Sequence, residues 1–177
     1  ERRKARKRES AMSLDEHIEK GRVLRARCAV ITCSDTRDES SDTSGALVEQ
    51  LLLEAGHEVT QRTIVQDEPS EILAALEAAR GSDIRLLIIN GGTGISRRDS
   101  TFEAISQAID TPLPGFGELF RMLSFEDIGA AAMMSRATAG LSDGMFVFSL
   151  PGSRNAVDLA MRKLILPQIG PLLAERS

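Results

Sequence analysis

Aromatic residues are scarce in this chain: 3% of 177 residues, all of them Phe, with no Trp and no Tyr. Recognition of single-stranded nucleic acid by stacking bases on aromatic faces is therefore disfavoured. The core has to be built from Leu, Ile, Val, Ala and Met instead. Cysteine and histidine are nearly missing too, at two each. Cys28 and Cys33 share one apolar run, Cys28-Ala29-Val30-Ile31-Thr32-Cys33. In a strand, residues five apart face opposite sides, so these two cannot bond without breaking the strand. With only His17 and His57 to add, no zinc-type ligand set can be assembled, and both thiols are expected to be buried and inert. No apolar stretch approaches the length of a bilayer span, and no hydrophobic segment follows the basic N-terminal residues as a secretory signal requires. The expectation is a soluble, cytoplasmic protein with no membrane partner.

The length suits one compact domain, and 42% hydrophobic with 27% charged residues is ordinary for a globular chain. Net charge is −4 but unevenly spread, because Arg2, Arg3, Lys4, Arg6, Lys7 and Arg8 crowd the start. We divide the chain into residues 1–22, a basic arm with a short helix opening at the capping box Ser13-Leu14-Asp15-Glu16 and running to about Gly21, and residues 23–177, a single α/β domain. The basic run reads as a solvated arm. Its rival reading is an arm that engages nucleic acid or another anionic partner, with steeply salt-dependent binding lost on deletion of residues 1–9. The acidic remainder carries no nucleic-acid motif, so the expectation is no nucleic-acid partner.

From residue 27 onward, short apolar runs alternate with helical periodicity. Strands are expected at Arg27–Cys33, Glu58–Val65, Leu86–Ile89 and Met145–Leu150. Helices are expected over Ser44–Ala55, stopped by Gly56, and from Asp67-Glu68-Pro69 to Gly81, with Ile72, Leu73, Leu76 and Ala79 on the apolar face. Further helices follow over about Ser100–Ile109, Phe120–Met134 and Ser153–Leu166, with a short one after Pro167. Residues 111–117, rich in Pro and Gly, read as a loop. Strands separated by helix-length segments argue for a three-layer α/β/α fold with a mostly parallel sheet. Ligands on such sheets sit at the carboxyl ends of the strands, beside a topological switch.

Four post-strand loops are therefore the places to look. They are Ser34-Asp35-Thr36-Arg37 continuing through Asp42-Thr43-Ser44-Gly45; Gln66-Asp67-Glu68-Pro69; Gly91-Gly92-Thr93-Gly94 continuing through Arg97-Arg98-Asp99-Ser100-Thr101; and Ser149-Leu150-Pro151-Gly152-Ser153. Three glycines after a buried strand let the backbone approach a ligand closely, and N–H groups at a helix start can hold an anion. The spacing is neither a dinucleotide fingerprint nor a P-loop. A lone glycine-rich turn also reads as a tight connection. Gly152 and Ser153 repeat the arrangement, which suggests a substrate with more than one phosphate. Asp67 and Asp99 are suited to a magnesium ion, which takes oxygen ligands and substrate phosphates. Asp67 reads equally as a helix N-cap. Arg97 and Arg98 either neutralise phosphate or pair with surface carboxylates.

These loops, together with Pro114-Gly115-Phe116-Gly117-Glu118, Ser135-Arg136 and Leu150-Pro151-Gly152-Ser153, resemble in content and order the MoaB/Mog family of molybdenum-cofactor biosynthesis. The resemblance covers about residues 25–170. Asn90 and Arg154 depart from it, standing where the family often has Thr and a small residue or Pro. The resemblance implies a molybdopterin-binding α/β domain that assembles as a homotrimer or hexamer. It implies adenylylation of molybdopterin by ATP with release of pyrophosphate, so Mg2+ as cofactor and ATP and molybdopterin as substrates. By the same resemblance Asp67 and Asp99 are the catalytic, magnesium-binding acids. Ser34, Asp35, Ser44, Gly91, Gly92, Thr93, Gly94, Arg98, Glu118, Ser135, Pro151, Gly152 and Ser153 fall on substrate-binding segments. The rival within the family is a non-catalytic pterin-binding protein of the same fold.

Overall fold

The computed structural model describes residues 24–95 and 101–176. The basic arm, its short helix and the boundary near residue 22 lie outside the described residues, as do Arg97, Arg98, Asp99 and Ser100. Six strands form one sheet: β1 (Arg27–Cys33), β2 (Glu58–Val65), β3 (Leu86–Asn90), β4 (Thr111–Pro112), β5 (Thr138–Ser142) and β6 (Met145–Leu150). Their spatial order is β2-β1-β3-β6-β5-β4. The first three pairings, β2–β1, β1–β3 and β3–β6, are parallel, and β6–β5 and β5–β4 are antiparallel. The helices are α1 (Thr43–Glu54), α2 (Pro69–Arg80), α3 (Thr101–Ala108), α4 (Pro114–Ile128), α5 (Arg154–Ala160) and α6 (Leu166–Ala174).

The strands are unbroken apolar runs because both sheet faces are covered. One face carries Cys28, Val30, Leu86, Ile88, Phe146 and Phe148 against α1, α4, α5 and α6. The other carries Ala29, Ile31, Cys33, Leu87, Ile89 and Val147 against α2 and α3. Three layers follow directly from this alternation. Cys28 and Cys33 accordingly lie on opposite faces as free thiols. Burial pushes each up to about 12, with nearby Glu58 adding to the effect at Cys28 and Asp67 at Cys33, where a hydrogen bond from Thr101 partly opposes it. Among the described residues, no helix is long and apolar enough to cross a membrane.

Three expectations need correction. Residues 111–117 are not a loop: Thr111 and Pro112 add an edge strand to β5, and Pro114 opens α4. Proline fits the first helical turn because its missing N–H has no partner there. The helix expected over Phe120–Met134 is two elements, since Gly129 takes φ 59° and hands over to a 3₁₀ segment, Gly129–Met134. The helix expected to stop before Pro167 instead runs on through a π turn, Met161–Ile165, into α6, with Pro167 in the first turn of α6. One strand was missed altogether. β5 joins β6 through Asp143-Gly144, where both residues have positive φ, 50° and 81°. Asp-Gly between apolar runs is a strong two-residue hairpin signal and was available in the sequence.

Candidate functional site

Strand β1 has β2 on one side and β3 on the other, so successive connections leave it in opposite directions. The crevice between β1 and β3 is the switch point at which α/β sheets bind ligands. The loops leaving these two strands meet there. Gly91 takes φ 108° and packs onto the Cys33 carbonyl at the end of β1. Gly92, at φ 61°, presses against Asp67 and Thr101, leaving no room for a Cβ between them. The loop after β6 closes on the same turn, with a Cβ at Gly152 lying only 3.1 Å from the Gly91 Cα. Three chain segments remote in sequence thus converge at one rim.

A cleft of about 270 Å³ opens at that rim. Gly92, Thr93 and Gly94 form one wall, Pro151, Gly152 and Ser153 another, and Ser135 borders it with Phe120 and Met134. A neighbouring groove of about 490 Å³ shares Ser124, Ile128, Ser153 and Ala156 with it and brings in Arg154, Arg162 and Lys163. Of the residues assigned from sequence, Gly92, Thr93, Gly94, Ser135, Pro151, Gly152 and Ser153 therefore line one cavity.

The remaining assigned residues take other positions. Asp67 does not cap α2: that place is held by Glu68, without a side-chain cap. Instead the Asp67 carboxylate accepts from the Thr101 hydroxyl at 2.9 Å, and its backbone N–H donates to Asp35 Oδ1 at 3.0 Å. The Asp67 carboxylate thus stands against the glycine turn, with Asp35 holding its backbone. Ser34 accepts from the Thr36 and Arg37 backbone N–H groups, shaping the first loop. Ser44 is buried beneath the rim with its hydroxyl committed, donating to Asn90 Oδ1 at 2.8 Å and accepting from Arg37 Nη1 at 2.6 Å. Glu118 is exposed on α4 and does not border the cleft. Asp99 and Arg98 lie outside the described residues.

A buried polar hub holds the loops in place. Asp42 caps α1 by accepting from the Gly45 N–H at 2.9 Å, and also accepts from the Thr32 hydroxyl and from Arg62. Asn90, fully buried at the end of β3, donates to Thr32 Oγ1 and the Ile31 carbonyl. Its departure from the resemblance is thus a residue whose amide is used on both sides. Arg37 extends the hub to the rim, donating to the Gly152 carbonyl at 3.0 Å. On the other side, Arg136 donates to the Thr93 and Gly94 carbonyls, pairs with Glu103 and lies 4.9 Å over the Phe102 ring. Arg37 and Arg136 lie inside the sequence motifs Ser34-Asp35-Thr36-Arg37 and Ser135-Arg136. Nothing in their spacing shows that their side chains reach across the sheet.

Magnesium is commonly held by one or two carboxylates with substrate phosphates completing the shell. Asp67, an oxygen donor against the glycine turn, fits that mode. Among the described residues no group of three or more His, Cys, Asp or Glu is gathered to suit a closed protein cage.

A three-layer fold with a glycine turn at the switch point defines a class of ligand-binding α/β domains, and sequence comparison narrows it. Residues 29–171 match the family model described as a probable molybdopterin binding domain, and the chain belongs to that family. It is 49% identical over 166 residues to molybdenum cofactor biosynthesis protein B of Halalkalibacterium halodurans, covering 93% of this chain and 97% of that protein. The protein of the same name from Bacillus subtilis is 48% identical over the same length, with the same coverage of both chains. Among solved structures, a molybdenum cofactor biosynthesis protein B superposes with TM-score 0.84 at 50% identity, covering 86% of this chain and 96% of the other. The tungsten cofactor synthesizing protein MoaB from Pyrococcus furiosus gives 0.78 at 38% identity, covering 85% and 96%.

Proposed function

We propose that this chain serves molybdenum-cofactor biosynthesis by adenylylating molybdopterin. A phosphate oxygen of molybdopterin bonds to the α-phosphorus of ATP, and the bond from that phosphorus to the pyrophosphate oxygen breaks. Adenylylated molybdopterin and pyrophosphate leave. One observation carries the reading: the Asp67 carboxylate lies against a glycine turn whose cleft is completed by loops from two other parts of the chain. The family match and the relatives' names support the pathway.

Such a transfer asks the protein for in-line positioning and for neutralisation of charge spread over phosphate oxygens. The backbone N–H groups of Gly92–Gly94 hold a phosphate oxygen. Arg37 and Arg136, by tying the walls to the hub and to α3, keep those donors fixed before substrate arrives, which is the costly part of electrostatic stabilisation. Asp67, with Asp99, would hold magnesium, which when bound supplies positive charge to the phosphates. Thr101 orients Asp67.

The test is pyrophosphate release from ATP in the presence of molybdopterin and magnesium. Asp67→Asn keeps the size of the side chain and removes its charge, and should lower turnover by roughly a hundredfold or more. Near-full activity would overturn the role given to Asp67. Ligand binding by the wild-type chain without any pyrophosphate release would favour the binding-only reading.

We also infer a homo-oligomer, a trimer or hexamer. Leu119, Met122 and Phe125 of α4, with Met133 and Met134 beyond it, form a largely exposed apolar surface, Met133 at 80%. Patches of this kind commonly mark subunit contacts. Phe125→Glu should lower the sedimenting mass; an unchanged assembly would place the contact elsewhere.

A further inference from the structure

The parallel strands have two ends, and the cleft described above occupies only the carboxyl ends. At the amino ends, Arg25 and Arg27 at the start of β1, Arg80 at the end of α2, Arg85 just before β3 and Arg176 just after α6 border an open cavity of about 770 Å³. Arg85 stands at the middle of this edge. Its N–H donates to the Arg27 carbonyl and its carbonyl accepts from the Phe146 N–H, each at 2.9 Å, which pins it between β1 and β6. Asp83, Asp143 and Glu175 share the rim, so the arginines outnumber the acids in a chain whose net charge is −4.

Two of the five guanidinium groups are committed. Arg27 pairs with Asp83, and with Glu58 at 3.5 Å. Arg80 pairs with Glu77 and donates to the Ser142 hydroxyl and the Ala108 carbonyl. The side chains of Arg25, Arg85 and Arg176 make no hydrogen bond or ion pair among the described residues. Arg85 is nevertheless half-buried. Like charges gathered around one cavity repel, and an anion bound among them relieves the repulsion. The planar fork of arginine matches phosphate oxygens two at a time. Among the described residues no aromatic ring lines the cavity, so a base or a pterin would find nothing to stack on there. Recognition there has to act on charge.

We propose that this pole is a second binding site, for a phosphate or polyphosphate group, at the opposite sheet edge from the glycine-turn cleft. It rests on the placement of the arginines and does not depend on the transfer reaction.

The experiment is calorimetric titration of the full chain with inorganic pyrophosphate, without magnesium and at low salt, comparing wild type with R176Q and the double variant R85Q/R176Q. R176Q alters an exposed residue just after α6 and guards against loss of folding, which far-UV circular dichroism checks in both. The expected result is a pyrophosphate-binding event weakened severalfold by R176Q and by about tenfold or more in the double variant, as for loss of charge-assisted hydrogen bonds. R85K with R176Q should recover part of the loss. The proposal is overturned if the folded double variant binds pyrophosphate as tightly as wild type, or if wild type binds none. It is equally overturned if the substitutions change the oligomeric state and leave pyrophosphate affinity intact, which would make this edge a contact between copies. Binding of a polyglutamate peptide in place of pyrophosphate would also overturn it, in favour of an acidic protein partner. No outcome depends on turnover, so its failure is separable from failure of the adenylylation reading.

Discussion

Gly92→Ala puts a single methyl group where the glycine turn meets Asp67. The new Cβ would lie 2.5 Å from Asp67 Oδ1 and 2.8 Å from Thr101 Cβ, and would overlap the Thr101 hydroxyl. Carbon atoms rest about 3.5–4.0 Å apart, so Thr101 has to retreat by roughly 1 Å. That retreat breaks the 2.9 Å bond from the Thr101 hydroxyl to the Asp67 carboxylate. Losing a hydrogen bond to a charged group costs about 1.5–3 kcal/mol, with the lower end fitting a half-exposed carboxylate. The φ of 61° adds the left-handed penalty of an L-residue, about 1 kcal/mol. A total of about 2.5 kcal/mol follows, which for a chain of this length is a fall of about 5–10 °C in Tm. Displacement of the carboxylate by about 1 Å should cost roughly a hundredfold in pyrophosphate release. Urea and thermal unfolding give the first quantity, and the coupled pyrophosphate assay the second. Thr101→Val keeps the volume and loses only the hydroxyl, so it should show the hydrogen-bond share alone. If Gly92→Ala melts with the wild type and releases pyrophosphate at full rate, the turn is not pressed against Asp67 as described, and the site has to be redrawn.

Three further perturbations test the scaffold. Asp42→Ala removes the acceptor shared by Thr32, the Gly45 N–H and Arg62, leaving buried donors unsatisfied and Arg62 paired with Glu49 alone; a loss of about 3 kcal/mol in urea unfolding is expected. His57 accepts from the Ala26 N–H through Nδ1, and burial, assisted by the Arg25 charge, lowers its pKa below the ordinary 6.5. The unfolded chain then takes up this proton more readily, so the contribution of His57 is complete above pH 6.5 and declines as pH falls through its lower folded value; a Tm-versus-pH series should show that slope, flattened in His57→Gln. With both thiols pushed up to about 12, Cys28 and Cys33 should resist an aromatic disulfide reagent at pH 8 in the native chain and both react in guanidinium.

Local chemistry alone was enough for much of the layout. The run Arg27–Cys33 is a strand with the expected ends, because a buried parallel strand needs a continuous apolar stretch and turn residues bound it sharply. Glu58–Val65 and Met145–Leu150 were legible for similar reasons. The glycine turn was legible as a place of close backbone approach, since glycine adopts positive φ such as the 108° of Gly91 and the 61° of Gly92 at no steric cost.

The identity of the contacts was decided by tertiary structure. Whether Asp67 caps a helix or lies against the glycine turn depends on Thr101 and Asp35, each more than thirty residues away in sequence. Ser44 looks like a loop hydroxyl free for a ligand until the fold sets Asn90 and Arg37 against it. The reach of Arg37 to Gly152, and the gathering of five arginines at the opposite edge, arise from strand order. Hydrophobic periodicity and turn propensity act over a few residues and are written along the chain. Which polar groups meet is settled only when the sheet assembles and each buried donor has to find whichever acceptor the topology brings beside it.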